Sequence, residues 1–332
     1  MSARENSGAA ALPLLFPDAV AEFTEVARRL RAARTVNVVT HVRPDADAIG
    51  SACGLVLGLC KAGIAANAFV GQAETHPDNL DTIPGVEDVT YGGELPATDL
   101  TVTVDCASLD RTGEFQDELQ RRHDSVVVID HHATNPGFGV FNLILGSEST
   151  TTMVREVLRF MDVDLDADIA RCLYAGLVTD TGNFRWGTSR MHHLAAELLE
   201  YDLDTRGIAM NLMDSMSVTD LQVLGEVYGG LQCFDVAGLN VSVLTITVDN
   251  LAAMGQTTVE AVIDRARTLQ GSDIGVVLKQ VESEFWNVSL RSSSVDVSRI
   301  AERLGGGGHV PAAGFSAVGT RADVVDRLLR AI

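Results

Sequence analysis

The sequence predicts an α/β protein: a parallel-sheet N-terminal domain joined by a helical linker to a smaller α+β C-terminal domain. Three observations carry that prediction. First, the runs Thr35–Thr40, Leu100–Val104 and Ser125–Ile129 are almost continuously apolar or β-branched, as strands covered on both faces are. Second, helical stretches separate these runs, and alternation of strand and helix is the pattern of a parallel sheet. Third, beyond about residue 230 the pattern changes to a hairpin with flanking helices. A chain of 332 residues is long enough for two domains. They are placed at 1–206 and 230–332, with 207–229 between them.

In chain order, a helical pattern at Ala19–Arg31 precedes the first strand, Ala48–Ala62 follows it, and Glu114–Arg122 precedes the third. Further helices are expected at Ser149–Met161, Ala167–Val178 and Met191–Tyr201. In the second of these, Ile169, Leu173 and Leu177 recur every fourth residue and define one buried face. Gly207–Gly229 reads as helical. Leu239–Val248 alternates as a strand, and Ile274–Glu282 with Phe285–Arg291 reads as a hairpin across Ser283-Glu284. Val259–Leu269 and Ala322–Ile332 read as helices.

Composition narrows the function. Hydrophobic residues make up 46%, too many for a disordered chain. The net charge of −20 excludes a basic protein that coats nucleic acid, yet leaves room for a small anionic substrate at a local site. Only Lys61 and Lys279 are lysines. Five widely spaced cysteines without a C-x-x-C pair, Cys53, Cys60, Cys106, Cys172 and Cys233, predict buried free thiols in a reducing cytosol, not disulfides or structural zinc. Ala9–Phe16 is short and interrupted by Pro13, so neither a signal peptide nor a membrane helix is expected.

Each of the three strands ends in residues suited to ligating a metal. His41 follows the first, with Asp45 and Asp47 close behind. Asp105 follows the second, and Asp130, His131 and His132 follow the third. Ligands of open α/β sheets bind beyond the carboxyl ends of the strands, so these residues can converge. Asp180, at the end of a helical pattern, is a further candidate, because a helix C-terminus carries partial negative charge. Asp45 and Asp47 also suit capping of the following helix, and His131-His132 alone suits a surface pair. The joint pattern favours a metal site. Four clustered carboxylates need strong positive charge, and imidazole with carboxylate and no thiolate suits Mn²⁺, Mg²⁺ or Co²⁺. Six donors suit two ions sharing a bridging carboxylate, a recurrent device for cleaving phosphate esters.

The segments His41–Ser51 (HVRPDADAIGS), Asp105, Asp130-His131-His132 and Asp180 resemble the four motifs of the DHH phosphoesterase superfamily. Arg291-Ser292, Gly305-Gly306-Gly307-Gly308-His309 and Ala312-Ala313-Gly314-Phe315 resemble its DHH-associated C-terminal domain. Together they are similar to the NrnA-type bifunctional nanoRNases and pAp phosphatases, over about residues 20 to 330. Ala46 stands where glycine is common in the first motif. The resemblance implies that His41 and Asp45 hold one ion, that Asp47, His131 and Asp180 hold another, and that Asp105 bridges both. It implies that Asp130 orients a ligating histidine and that His132 faces the substrate phosphate. The favoured ion is Mn²⁺, with Mg²⁺ or Co²⁺ as alternatives.

Arg111 follows the second motif and Arg185 lies five residues past Asp180. Each suits a phosphate contact or a solvated surface. Phe184 and Trp186 suit base stacking or a core role. In the C-terminal domain, the resemblance implies that Arg291, Ser292, Gly306, Gly307, Gly308 and His309 bind substrate while the first domain cuts. Without the resemblance, the glycine run reads as a flexible turn. The expected activity is hydrolysis of short oligoribonucleotides, including pApA, to mononucleotides, and of pAp to AMP. A cyclic-di-AMP phosphodiesterase is the near alternative, and a non-catalytic nucleotide sensor is the alternative from another class. Long nucleic acid and membrane are not expected as partners. A cytoplasmic homodimer is, the dimer by resemblance alone.

Overall fold

A computed structural model describes residues 13–332 apart from residue 215, so residues 9–12 of the Ala9–Phe16 stretch lie outside it. The chain divides into two compact units, one up to residue 215 and one from Met216 to Ile332.

The first unit runs α1 (Val20–Ala32), β1 (Thr35–Thr40), α2 (Ala46–Lys61), β2 (Ala65–Val70), β3 (Thr90–Tyr91), β4 (Leu100–Val104), α3 (Gln116–Arg121), β5 (Val126–Asp130), β6 (Phe141–Ile144), α4 (Thr150–Phe160), α5 (Ala167–Asp180), α6 (Ser189–Leu198) and α7 (Thr205–Leu212). Its six strands are all parallel, in the order β3-β2-β1-β4-β5-β6. The three strands expected from β-branched runs are the central ones, with β4 and β5 buried throughout. The other three lack that signal. β2 reads Ala-Ala-Asn-Ala-Phe-Val, with a single β-branched residue, while β3 and β6 have only two and four residues.

Glycine sets how closely the helices pack. Gly50, Gly54 and Gly58 recur every fourth residue along α2. A Cβ at Gly50 would lie 2.4 Å from the Cys172 carbonyl oxygen of α5, and one at Gly58 would lie 2.3 Å from Leu158 of α4. Before α3, a 3-10 stretch at Leu109–Phe115 bends at Gly113 (φ 61°), where a Cβ would strike Gly71 O and Val42. This bend pins the Arg111 loop to the segment after β1, and Val42 N donates to Arg111 O at 2.9 Å.

The second unit runs α8 (Val218–Gly229), β7 (Gln232–Val236), β8 (Leu239–Ile246), α9 (Val248–Ala253), α10 (Gln256–Arg267), β9 (Ile274–Glu282), β10 (Phe285–Arg291), α11 (Val297–Arg303), β11 (Gly307–His309), β12 (Ala312–Val318) and α12 (Arg321–Ala331). Its sheet has the order β11-β12-β10-β9-β8-β7 and is antiparallel except between β8 and β9. Trp286, Val288 and Leu290 pack with Val297, Ile300, Val324 and Leu328 on one face, while Leu244 and Val277 pack with Val223 and Val262 on the other.

Three expectations change. Gly207–Gly229 is two helices, because Ile208 and Leu212 bury into the first core and Val223, Leu224 and Val227 into the second. The glycine run is not a free turn, since Gly307–His309 forms strand β11 against β12. All five cysteines are free, but only Cys53, Cys106 and Cys172 are buried, with Cys60 and Cys233 exposed. Among the described residues no helix is long and apolar enough to cross a membrane.

Alanine at Gly50 is expected to destabilise the protein by about 1–3 kcal/mol despite its better helix propensity, because the neighbouring atom is backbone and cannot swing aside. Calorimetric melting of Gly50→Ala checks this.

Candidate metal centre

In the first sheet the chain runs outward from β1 through β2 to β3, and in the opposite direction from β4 through β5 to β6. The β1/β4 boundary is therefore the topological switch point, where an α/β sheet leaves a crevice at its carboxyl edge. His41 follows β1 and Asp105 follows β4 at that boundary, and Asp130 ends the neighbouring β5. Asp45 caps α2 and Asp180 ends α5.

The side chains converge. His41 Nε2 lies 3.8 Å from Asp45 Oδ2 and 3.5 Å from Asp105 Oδ2. His131 Nε2 lies 3.5 Å from Asp105 Oδ1 and 3.4 Å from Asp180 Oδ2. The two oxygens of Asp105 thus face two different histidines. Potential ligand atoms of His41, Asp45 and Asp105 lie within 4.8 Å of one another, as do those of Asp47, His131 and Asp180, and those of Asp105, His131 and His132. Separations of 3.4–3.8 Å are too long for good hydrogen bonds. They suit donor atoms that share an ion about 2.1 Å from each.

Electrostatics points the same way. Burial, reinforced by neighbouring carboxylates, pushes the Asp105 and Asp180 carboxyls well above the usual range. Burial also raises Asp47, against the pull of His131 and of the Thr151 and Thr150 amides. Three buried carboxyls resist ionisation side by side here, a cost that bound positive charge would relieve, so the donor set fits divalent cations.

Backbone and neighbouring groups hold each donor. Asp45 Oδ1 accepts from Asp47 N and Ala48 N, so it caps α2 with one oxygen and offers the other to the cluster. Asp47, fully buried, accepts from Thr150 N (2.6 Å) and Thr151 N (3.0 Å) at the start of α4. Thr150 Oγ1 donates to Asp105 Oδ1 at 2.9 Å. Asp105 takes a left-handed backbone (φ 58°), a strained conformation for a residue with a side chain. His131 Nδ1 lies 3.3 Å from Ser147 O, and a proton there leaves Nε2 free to ligate. His41 Nδ1 lies 3.0 Å from Val42 O, and Arg111 Nη2 is 3.0 Å from the same nitrogen.

Two family descriptions match the chain: "DHH family, N-terminal domain" over residues 35–177 and "DHHA1 domain" over residues 240–332. The bifunctional oligoribonuclease and PAP phosphatase NrnA of Thermus thermophilus is 33% identical over 90% of this chain and 89% of its own. The chain belongs to the DHH family. The NrnA of Bacillus subtilis is 26% identical over 92% of this chain and 96% of its own. An exopolyphosphatase-related protein from Bacteroides fragilis shares the fold, with a TM-score of 0.84 at 24% identity over 94% of this chain and 95% of that one.

The remaining site residues of this DHH chain divide. Asp130 is fully buried, and its Oδ1 accepts from His132 Nδ1 at 2.8 Å while Oδ2 accepts from Asn135 Nδ2 at 2.7 Å. It therefore orients His132, whereas His131 is oriented by a backbone carbonyl. The Asp130 hydrogen bond holds the His132 imidazolium above its usual range. Arg185 donates to Gly182 O at 2.7 Å and lies 5.1 Å from the Trp186 ring. Trp186 is half exposed and donates to Asp180 O at 2.6 Å, while Phe184 packs between Tyr174 and His192.

In the second unit, Arg291 and His309 both register with Ala312, so they share one row across β10, β12 and β11. Gly306 and Gly308 let β11 approach β12, since a Cβ at either would lie within 2.5 Å of β12 backbone. Ser292 does not join them. It is buried, its hydroxyl donates to Asp273 O and accepts from Ser294 N and Val295 N, and the turn after β10 uses it fully.

Thr150, Thr151, Asn135 and Ser147 escaped sequence reasoning. The run Ser149–Thr152 is legible only as a helix start, with Ser149 accepting from Thr152 N. Thr150→Val is expected to keep the fold and weaken divalent-cation binding by about 10–100-fold, as loss of a group supporting a ligand does. Titration calorimetry with Mn²⁺, alongside circular dichroism, checks it.

Proposed function

We propose that this chain is a metal-dependent phosphohydrolase that degrades short oligoribonucleotides, pApA among them, to mononucleotides and removes the 3′-phosphate of pAp to give AMP. The observation that carries the reading is the arrangement of two His/Asp triads around the two oxygens of Asp105. His41 and Asp45 would hold one divalent ion, Asp47, His131 and Asp180 a second, and Asp105 both. Oxygen and imidazole donors favour Mn²⁺, with Mg²⁺ and Co²⁺ as alternatives. Ions held there supply positive charge to the phosphoryl oxygens and lower the pKa of water.

The protein's own groups do the rest. Asp130 and Asn135 fix the His132 ring so that Nε2 meets a phosphoryl oxygen. Arg111, held beside His41 by the Gly71–Gly113 contact, stabilises charge on the same phosphoryl group. Arg291 and His309 grip a terminal phosphate or base edge. β11 is the sheet edge, so part of its backbone N–H groups face away from β12 and can join them. The names of the Thermus thermophilus and Bacillus subtilis relatives support this substrate class. Free cysteines accord with a cytoplasmic enzyme. A homodimer is supported by one face of α8, where Val218 (76% exposed), Leu221 (63%) and Tyr228 form an uncovered apolar stripe.

A turnover screen in Mn²⁺ tests the reading, with pAp, pApA, cyclic di-AMP, pyrophosphate and di- to pentaribonucleotides. Turnover of pAp and the short oligonucleotides, without pyrophosphate cleavage, is expected. Faster turnover of cyclic di-AMP would move the assignment to that phosphodiesterase, and tight nucleotide binding with no turnover in any divalent metal would make the protein a sensor. Asp130→Ala with His131→Ala is expected to lower both activities by about 10³-fold or more; intact hydrolysis would overturn the assignment. Leu221→Glu is expected to halve the mass measured by light scattering.

A further inference from the structure

The second unit carries a polar strip beyond Arg291 and His309. Side chains alternate across a strand. Trp286, Val288 and Leu290 of β10 enter one core, so Asn287, Ser289 and Arg291 face the other way. On β12, Ala313, Phe315 and Ala317 are buried in that same core, leaving Ala312, Gly314 and Ser316 on the side of Arg291. Leu278 of β9 is buried there too, which turns Lys279 to the strip.

Register aligns these residues in rows. The first is Arg291–Ala312–His309, the second Ser289–Gly314–Gly307, and the third Lys279–Asn287–Ser316. The second row offers little more than backbone and one hydroxyl. The third is rich in donors. Ser316 Oγ donates to Asn287 Oδ1 at 3.0 Å, which turns the amide so that its NH₂ has no acceptor among the described residues. Lys279 sits directly across from Asn287 and is half buried. Among the described residues it makes no ion pair or hydrogen bond, in a chain of net charge −20. An unpaired ammonium beside two unused N–H donors is complementary to a phosphate. Asn287 and Arg291 are four residues apart on one strand, roughly 13 Å. That is the rise of about four stacked nucleotides at ~3.4 Å each.

We propose that Lys279 and Asn287 form a second anion subsite, which takes a backbone phosphate of a short oligonucleotide whose terminal nucleotide is held by Arg291 and His309. The inference rests on the substrate class proposed above and adds a length-dependent contact to it. A chain of about four nucleotides reaches both ends of the strip. pAp, with a single nucleoside, reaches one.

The full-length protein is assayed in Mn²⁺ with pAp and with a 5′-phosphorylated tetraribonucleotide, and tetranucleotide binding is read by fluorescence anisotropy at several salt concentrations. Lys279→Ala is expected to raise the tetranucleotide KM and Kd about tenfold, to lower the salt slope by about one, and to move the pAp KM less than twofold. Lys279→Arg should restore most of the affinity, and Asn287→Asp should cost more than Asn287→Ala because it sets a carboxylate against the phosphate. An unchanged tetranucleotide Kd, or an equal loss on pAp, overturns the subsite. If the wild-type protein turns over neither substrate, the hydrolase reading falls, and the anisotropy series still decides the subsite.

Discussion

Burial of several aspartates in the first turn of α2 and at the ends of β4 and β5 is the constraint around which the first unit is arranged. Asp47, Asp105 and Asp130 are at most 3% exposed, and carboxylates taken out of water beside one another are costly unless each oxygen finds a partner. The fold supplies partners one by one. Asp47 takes two amides from the start of α4, Asp105 takes the Thr150 hydroxyl, Asp130 takes Asn135 and His132, and Asp45 takes the first N–H groups of α2. Oxygens of Asp45, Asp105 and Asp180 also face His41 and His131 across 3.4–3.8 Å, and there the proposed cations would supply the remaining positive charge.

Delivering those partners requires unusually close helix packing. A Cβ at Gly176 of α5 would lie 2.4 Å from Asp47 Oδ1 and 2.5 Å from Thr151, so any larger residue would push α5 off the cluster. Gly50 does the same between α2 and α5. Since α2 begins with Asp45 and Asp47 and α5 ends with Asp180, the glycine contacts along the helices set the positions of carboxylates at their ends. The left-handed backbone at Asp105 is a local strain of about 1–2 kcal/mol, set against the gain of turning one carboxylate toward both histidines.

The second unit solves a different problem. Its sheet packs one face under α11 and α12 and leaves part of the other polar, with glycines admitting β11 to the edge. Under the proposed function, a surface of backbone, small side chains and the unpaired Lys279 would bind by position along a ligand, whereas the first unit would act at one point. The net charge of −20 sharpens that division. Local cations matter most where the rest of the chain repels polyanions.

Much of this was legible beforehand. β1, β4, β5 and the β9–β10 hairpin follow from β-branched and alternating runs, and the six candidate donors follow from ligand-type residues at strand and helix ends together with motifs spanning the chain. β2, poor in β-branched residues, and the short β3 and β6 were not, because sheet partners rather than their own residues stabilise them. Nor were the supports of the donors. Thr150 lies 45 residues from Asp105 and 103 from Asp47, and nothing in a Ser-Thr run says which distant carboxylate its amides will meet. The same holds for Ser292, which lies in a segment expected to bind substrate and spends its hydroxyl on a turn. Sequence alone determined which residue types could hold metal and bind phosphate, because that chemistry belongs to the side chains. Tertiary structure decided which oxygen of Asp105 faces which histidine and which histidine Asp130 orients, because those choices depend on helix approach and backbone direction set by contacts far apart in the chain.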